Sequence, residues 1–174
     1  MDDVFNVIYA RRSIRAYTEE PVTGEQVELL LKAAMAAPSG SNLQPWHFVV
    51  VRKRDLLDRL AKTHQYAGLL RKAPLAIAVC GDTDTSERHW VEDTSAATQN
   101  LLLAVTALGL GAVWIGVHPD QERQKHVRDV LDIPGHVNVL CLVAIGHPAE
   151  DKEPRTQYDQ RRVHYETWKS NGDE

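Results

Sequence analysis

The chain has little of several things. Cysteine is nearly absent: among 174 residues only Cys80 and Cys141 carry thiols. They lie far apart inside the apolar runs LAIAVC and VLCLVAI. A disulfide framework or a zinc centre built on closely spaced cysteine pairs is therefore excluded, and both are expected to be buried core thiols. No apolar run approaches the roughly 20 residues that a membrane helix needs. The opening MDDVFNVIYARRS lacks the basic-then-apolar pattern of a secretory signal, so a cytoplasmic location is expected. Charge of one sign is not in excess. A net charge of −4 creates no strong field toward nucleic acid or an anionic membrane, and neither is expected as a partner. There is no low-complexity tract and no internal repeat.

Several catalytic signatures are missing as well. His118 and His126, or His136 and His147, do not match H-E-x-x-H or a facial triad, so no metal site is expected. The eight histidines read as surface or structural groups. There is no G-x-S-x-G nucleophile elbow. GLGAVWIG is not the dinucleotide fingerprint, which needs G-x-G-x-x-G after a strand and an acid further on.

What is present suits one soluble domain spanning 1–174, or a compact unit that pairs with a second copy. Apolar residues make up 43% and charged residues 25% of the chain, enough for a sizeable core. Spacing predicts a helix from Asp3 to Arg11, with Val4, Val7 and Ile8 on one face. A second helix starts at Thr23, where TGEQ reads as a capping box, and ends by Pro38. WHFVVV reads as a strand, RDLLDRLAKT as a helix and PLAIAVCG as a fully apolar strand. A long helix from Trp90 to Leu108 is nearly apolar on all sides after Ser95. One small domain rarely buries such a helix, and a second copy could cover it. GLGAVWIGV is a strand, DQERQKHVRDVLDI an amphipathic helix and VNVLCLVAIG the last strong strand. After Pro148 the chain turns polar and cannot form its own core. Tyr165 and Trp168 could anchor that segment on another surface. The order suggests a three-layer α+β fold with a mixed sheet.

Four stretches could carry chemistry, each with a plainer alternative. RRSIR places Arg11, Arg12 and Arg15 around Ser13. It is either a phosphate clamp or a helix end with cations on the negative pole of the dipole. APSGSNLQPW supplies Ser39, Ser41, Asn42 and Gln44, with Gly40 allowing close approach. It suits a flat heterocycle, or is a polar surface loop. The glycines of GLGAVWIG permit approach to a ring face, or merely make turns. Arg155 either closes on an anion or is solvated.

Together, and in this order, RRSIRAY, APSGSNLQPWHFVVV, APLAIAVCGD, WVEDTSAATQNLLLA with LGLGAVWIG, and AIGHPAEDKEPR with VHYETW resemble the nitroreductase family of FMN-dependent oxidoreductases, in its short members. The resemblance runs from about residue 4 to 168. It implies a three-layer α+β sandwich with a mixed, mostly antiparallel sheet and an intertwined homodimer, with residues 149–174 as an extension packing on the partner. It implies FMN at the interface, reduced by NAD(P)H, passing electrons to nitroaromatic, quinone or flavin acceptors by a ping-pong scheme. Carried over by position, Arg11 and Ser13 hold the phosphate, with Arg12 assisting and Arg155 closing on it. Arg15 approaches the pyrimidine end as an electrostatic stabiliser. Pro38, Ser39, Gly40, Asn42 and Gln44 line the ring from the other chain. Trp114, Ile115 and Gly116 flank it and aim a backbone N–H at N5. No catalytic side chain is implied. The sequence departs from the family at Gln157, where a second base is common, at Gly40, where serine is common, and at Leu69, where some larger members place a lysine. The long insertions of larger members are missing. The alternative reading is a flavin store or redox sensor with little turnover.

Overall fold

The computed structural model describes residues 3–168, and for Asp3 the backbone alone. Five helices and four strands follow in the order α1 (Asp3–Ala10), α2 (Gly24–Met35), β1 (Trp46–Val51), α3 (Arg54–Leu60), β2 (Leu75–Asp82), α4 (Trp90–Ala107), β3 (Gly111–Gly116), α5 (Gln121–Leu131) and β4 (Val137–Gly146). The capping box is present: Thr23 Oγ1 accepts the Gln26 amide at 3.1 Å, and Gln26 Oε1 accepts the Thr23 amide at 2.8 Å.

The strands form one sheet in the order β1-β2-β4-β3, and each neighbouring pair is antiparallel. The parallel component of the mixed sheet is a single bridge, Ser13 to Ala112, at its outer edge. β2 and β4 are central and buried on both faces, which is why they read as unbroken apolar runs. Successive side chains alternate between faces. Leu75, Ile77 and Val79 pack against Leu30 and Ala34 of α2 and Leu101 and Val105 of α4. Ala76, Ala78 and Cys80 turn to Leu57 and Leu60 of α3 and Val127 and Val130 of α5. The result is the three-layer sandwich expected.

One irregularity shapes the functional end. β4 carries a bulge, because Val79 pairs with Cys141 but Cys80 pairs with Val139. Leu140 is the extra residue. Its carbonyl accepts the amides of Val117 at 3.2 Å and His118 at 3.0 Å, just past the end of β3. The Val139 amide is taken by the buried Gln124 side chain at 2.7 Å. The bulge thus ends β3 after Gly116 and ties α5 to the turn that follows.

α4 buries one face fully, from Trp90 through Thr94, Thr98 and Leu102 to Val105. Thr98 Oγ1 returns its proton to the Thr94 carbonyl at 2.7 Å, so its hydroxyl is spent inside the helix. The opposite face is covered incompletely. Leu103 and Ala104 line an open apolar groove with Val4 and Ile8 of α1 and Ala33 and Ala36 of α2. Val4 is 58% exposed and Ile8 42%, so the apolar stripe of α1 is left partly uncovered among the described residues.

The strip after α1 rests on β3 through a glycine. A Cβ at Gly111 would stand 2.7 Å from Ile14 Cγ2 and 2.9 Å from Ile14 Cβ. We expect Gly111→Ala to lower stability by about 1–3 kcal/mol, the usual range for overpacking, read from chemical denaturation midpoints. An unchanged midpoint would contradict this close packing.

Candidate functional site

The site begins where the N-terminal strip meets the edge of the sheet. The Ile14 amide donates to the Ala112 carbonyl at 2.9 Å. The Tyr17 hydroxyl donates to the Ile14 carbonyl at 2.7 Å, with the Ala144 carbonyl at 3.2 Å. Burial pushes the Tyr17 phenol far up, with the Glu150 charge adding to the rise, so it remains a donor. The segment after β4 runs back along the same strip. The Thr18 amide meets the His147 carbonyl, the Ala149 amide the Ala16 carbonyl, and the Arg155 amide the Tyr9 carbonyl, all within 3.0 Å. The Glu150 carboxylate accepts the Arg15 amide. Lys152 Nζ donates to the Ser13 carbonyl at 2.6 Å and lies 3.1 Å from Glu150. The Arg12 guanidinium donates to the Glu153 carbonyl. Arg11, Ser13 and Arg155, separated by most of the sequence, thus sit on two strips bonded side by side.

Beside them lies a cavity of about 330 Å³ lined by Arg15, His64, Tyr66, Leu69, the backbone and side chains of Val113 to Gly116, and Arg123. None of these residues is acidic. β3 is an edge strand, and its outer side faces this space. The Ala112 carbonyl points outward to Ile14, whereas the Val117 amide points inward to Leu140. Alternation along an antiparallel strand therefore turns the peptide groups of Trp114 and Gly116 outward, away from β4. Trp114 is 36% exposed at the mouth.

The loop after α2 is a separate construction. Ser41, Asn42 and Gln44 all take positive φ, at 50°, 57° and 51°. Left-handed backbone at non-glycine residues costs on the order of 1–3 kcal/mol each, and such strain persists only where neighbours fix it. Here the fixing group is Asp93, in the first turn of α4 and 5% exposed. Its Oδ1 accepts the Gly40 amide at 2.9 Å, and its Oδ2 has no partner among the described residues. Ser39 Oγ accepts the Gln44 amide at 3.0 Å and closes the loop. A Cβ on Gly40 would lie 3.0 Å from the His89 ring, so the glycine permits this packing.

The structure thus brings Arg15, Trp114, Ile115 and Gly116 to one cavity and sets Arg11, Arg12, Ser13 and Arg155 on the adjoining strips. It does not bring Pro38, Ser39, Gly40, Asn42 or Gln44 to that cavity within one chain. Sequence reading missed Asp93, Glu150 and Lys152, as well as His64 and Arg123. Asp93 gave no signal, because it stands beside Glu92 in the polar first turn of α4, where acids are common. The run AEDKEPR was the signal for Glu150 and Lys152, although only its arginine stood out. His64 and Arg123 gave no signal, because each looks like an ordinary polar surface residue.

Comparison with known proteins agrees with this architecture. The family model described as Nitroreductase family matches residues 8–65 and 60–147. A protein of Archaeoglobus fulgidus provisionally named an NADH dehydrogenase/NAD(P)H nitroreductase is 42% identical over 97% of this chain and 100% of its own length. A crystal structure of a protein under the same provisional name from Parabacteroides distasonis superposes with a TM-score of 0.94 at 39% identity, covering 97% of this chain and 100% of that one. A provisionally named nitroreductase from Desulfovibrio desulfuricans, solved in complex with FMN, gives 0.82 at 34% identity, covering 97% and 99%. The chain belongs to the nitroreductase family. Among the described residues, no helix is long and apolar enough to cross a membrane.

Two measurements test these local supports. Asp93→Ala leaves the Gly40 amide without its charged acceptor. It should lower stability by about 1–3 kcal/mol in urea unfolding, with Asp93→Asn recovering part of the loss. Equal values for both variants would contradict the tether. The Glu150 carboxyl is held below its ordinary 4.5, first by the Arg15 amide it accepts; desolvation opposes this, and the Lys152 ammonium adds to the lowering. A carboxyl depressed in the folded state contributes stability that is full above its unfolded value and fades as pH falls through the folded one. The stability gap between the native protein and Glu150→Gln should therefore be widest above about pH 4.5 and close on acidification. A gap independent of pH would contradict this role.

Proposed function

We propose that this chain is a cytoplasmic, FMN-dependent oxidoreductase. It takes hydride from NAD(P)H and passes electrons to a nitroaromatic, quinone or flavin-type acceptor, as a homodimer whose two sites each draw on both chains. One observation carries the reading. A strip bearing Arg11 and Ser13, with a second strip bearing Arg155 bonded beside it, is joined to the edge of β3 next to a cavity walled by guanidinium groups and outward amides, with no acid among its lining residues.

That donor set fits FMN. A phosphate suits paired arginines and a hydroxyl. A ring edge rich in carbonyl oxygens suits Arg15 and the amides of Trp114 and Gly116. His64 stands in the same wall, its Nε2 buried without a partner among the described residues. When bound, FMN supplies the hydride-accepting and electron-passing chemistry. This chain's residues then bind and orient. Arg11 and Ser13 hold the phosphate, and Arg155 closes on it. Arg15 provides fixed positive charge beside the pyrimidine end, in place before reaction and needing no reorganisation. Trp114 and Ile115 set the plane of the ring. With FMN so held, one site would serve NAD(P)H and the acceptor alternately, a ping-pong scheme.

The second copy is supported by three features. Val4, Ile8, Leu103 and Ala104 leave an apolar groove open along α1 and α4. The strained loop from Ser39 to Gln44 carries its polar groups to the surface rather than to its own chain's cavity. A partner docked on that groove could bring its loop to this cavity. The chain beyond Arg155 supports the same assembly, with Tyr158 73%, Tyr165 74% and Trp168 82% exposed. The extension, residues 149–174, thus begins by bonding to its own chain's N-terminal strip as far as Arg155, and its later part is in the state expected where the cover is another subunit, although residues 169–174 lie outside those described. Burial pushes the Cys80 thiol up to about 12 and raises Cys141 further, so both remain inert thiols.

The purified protein should be yellow, bleached by NADH or NADPH under anaerobic conditions and restored by a nitroaromatic. Yellow protein that does not bleach would make it a flavin store or sensor, and colourless protein that takes up no added FMN would end the flavin reading. Arg11→Ala should weaken FMN binding by about 1.5–3 kcal/mol, the scale of a charge-assisted contact, in fluorescence titration.

A further inference from the structure

The cavity wall holds a second cation that the functional reading above leaves unused. Arg123 projects from the first turn of α5 and is fixed from two sides. Its Nε lies 3.2 Å from Oδ2 of Asp120, the N-cap residue, and its Nη1 donates to the Gly116 carbonyl at 3.5 Å. The Asp120 cap is itself formed, since its Oδ1 accepts the Arg123 amide at 3.0 Å. This leaves Nη2 without a partner among the described residues. The guanidinium is thus pre-positioned at the end of the ring-facing edge of β3, held by the very residue whose amide faces outward there.

His64 stands on the same wall. The Tyr66 amide donates to its Nδ1 at 3.1 Å, so a neutral imidazole carries its proton on Nε2. That atom is buried and meets no acceptor among the described residues. Burial first, and the Arg123 charge second, lower the His64 pKa, which keeps it a neutral donor. Leu69, also on the wall, offers no polar group. The wall therefore has donors and positive charge in surplus and acceptors in deficit.

We propose that Arg123, with the neutral His64 beside it, is a second electrostatic determinant of the bound flavin, favouring FMN in its reduced state over its oxidised state. The proposal rests on the FMN reading above. Two-electron reduction leaves negative charge on the pyrimidine part of the ring near neutral pH, and a fixed cation favours the more negative state. Arg15 reaches the cavity from the N-terminal strip and Arg123 from the first turn of α5, so the two cations approach the same wall from different elements. Asp120 offsets part of the Arg123 charge, so the effect is moderate.

The test is the midpoint potential of the FMN-loaded protein, measured against a reference dye, together with the dissociation constant of oxidised FMN. Arg123→Gln should weaken binding of reduced FMN about tenfold more than binding of oxidised FMN. For a two-electron couple that is a fall of about 30 mV. Arg123→Lys, which keeps the charge, should recover most of the shift. His64→Phe, which removes the donor but keeps a ring, should weaken oxidised FMN several-fold. A midpoint unchanged in Arg123→Gln, with FMN still bound, overturns the role of Arg123 and leaves the flavin reading standing. Failure of the native protein to take up FMN overturns both.

Discussion

The hydrogen bond from the Ile14 amide to the Ala112 carbonyl is the constraint on which the site depends. An edge strand offers a row of unpaired peptide groups, and natural sheets close or cover such rows. Here the closure is partial. The N-terminal strip takes the first outward carbonyl of β3 and then departs, leaving the peptide groups of Trp114 and Gly116 turned to the cavity. At about 3.3 Å per residue, Ala112 and Gly116 are separated by about 13 Å of strand. One edge thus offers two stations at that spacing, a cationic one and a ring-facing one. A ligand with an anionic tail, a short flexible spacer and a flat head matches such an edge.

The second strip, from His147 to Arg155, makes the cationic station possible. Arg11, Arg12, Arg15 and Arg155 lie on two strips bonded to each other. Glu150 supplies a carboxylate to the Arg15 amide and to Lys152, and the carbonyls of Ser13 and Glu153 accept from Lys152 and Arg12. These internal contacts occupy some of the basic groups and leave others for a bound anion. The distribution is more specific than a basic patch, and it explains why the polar run AEDKEPR follows the last strand at once.

Much of the fold was legible because its elements obey simple periods. β2 and β4 read as strands since both faces are buried, and TGEQ announced the start of α2 with its reciprocal cap. What could not be read was the arrangement between elements. Nothing in the run VNVLCLVAIG says that β4 inserts between β2 and β3, or that Leu140 is a bulge whose carbonyl ends β3. The motif residues of the site were recognisable because they cluster in sequence. Asp93 was not, since its partner Gly40 is 53 positions away and the pairing exists only once α4 lies across the end of α2. His64 and Arg123 meet for a similar reason: α3 and α5 pack on the same face of the sheet, and only that packing sets the two residues on one wall.

The loop from Ser39 to Gln44 shows how the parts constrain one another. Three left-handed residues and a buried carboxylate with one unpartnered oxygen are expensive features for a surface turn. A turn needed only to reverse the chain could be built from glycine and asparagine at lower strain. Asp93 holds the Gly40 amide inward, while Ser41, Asn42 and Gln44 stay exposed. Under the dimer reading, the same docking that covers Val4, Ile8 and Leu103 delivers this loop to a cavity it cannot reach in its own chain. Hydrophobic burial would then supply the free energy of assembly, and the strained loop would convert assembly into a finished binding site. Stability and function would thus be coupled through one interface, so that a chain unable to pair would lose its ligand before it lost its fold.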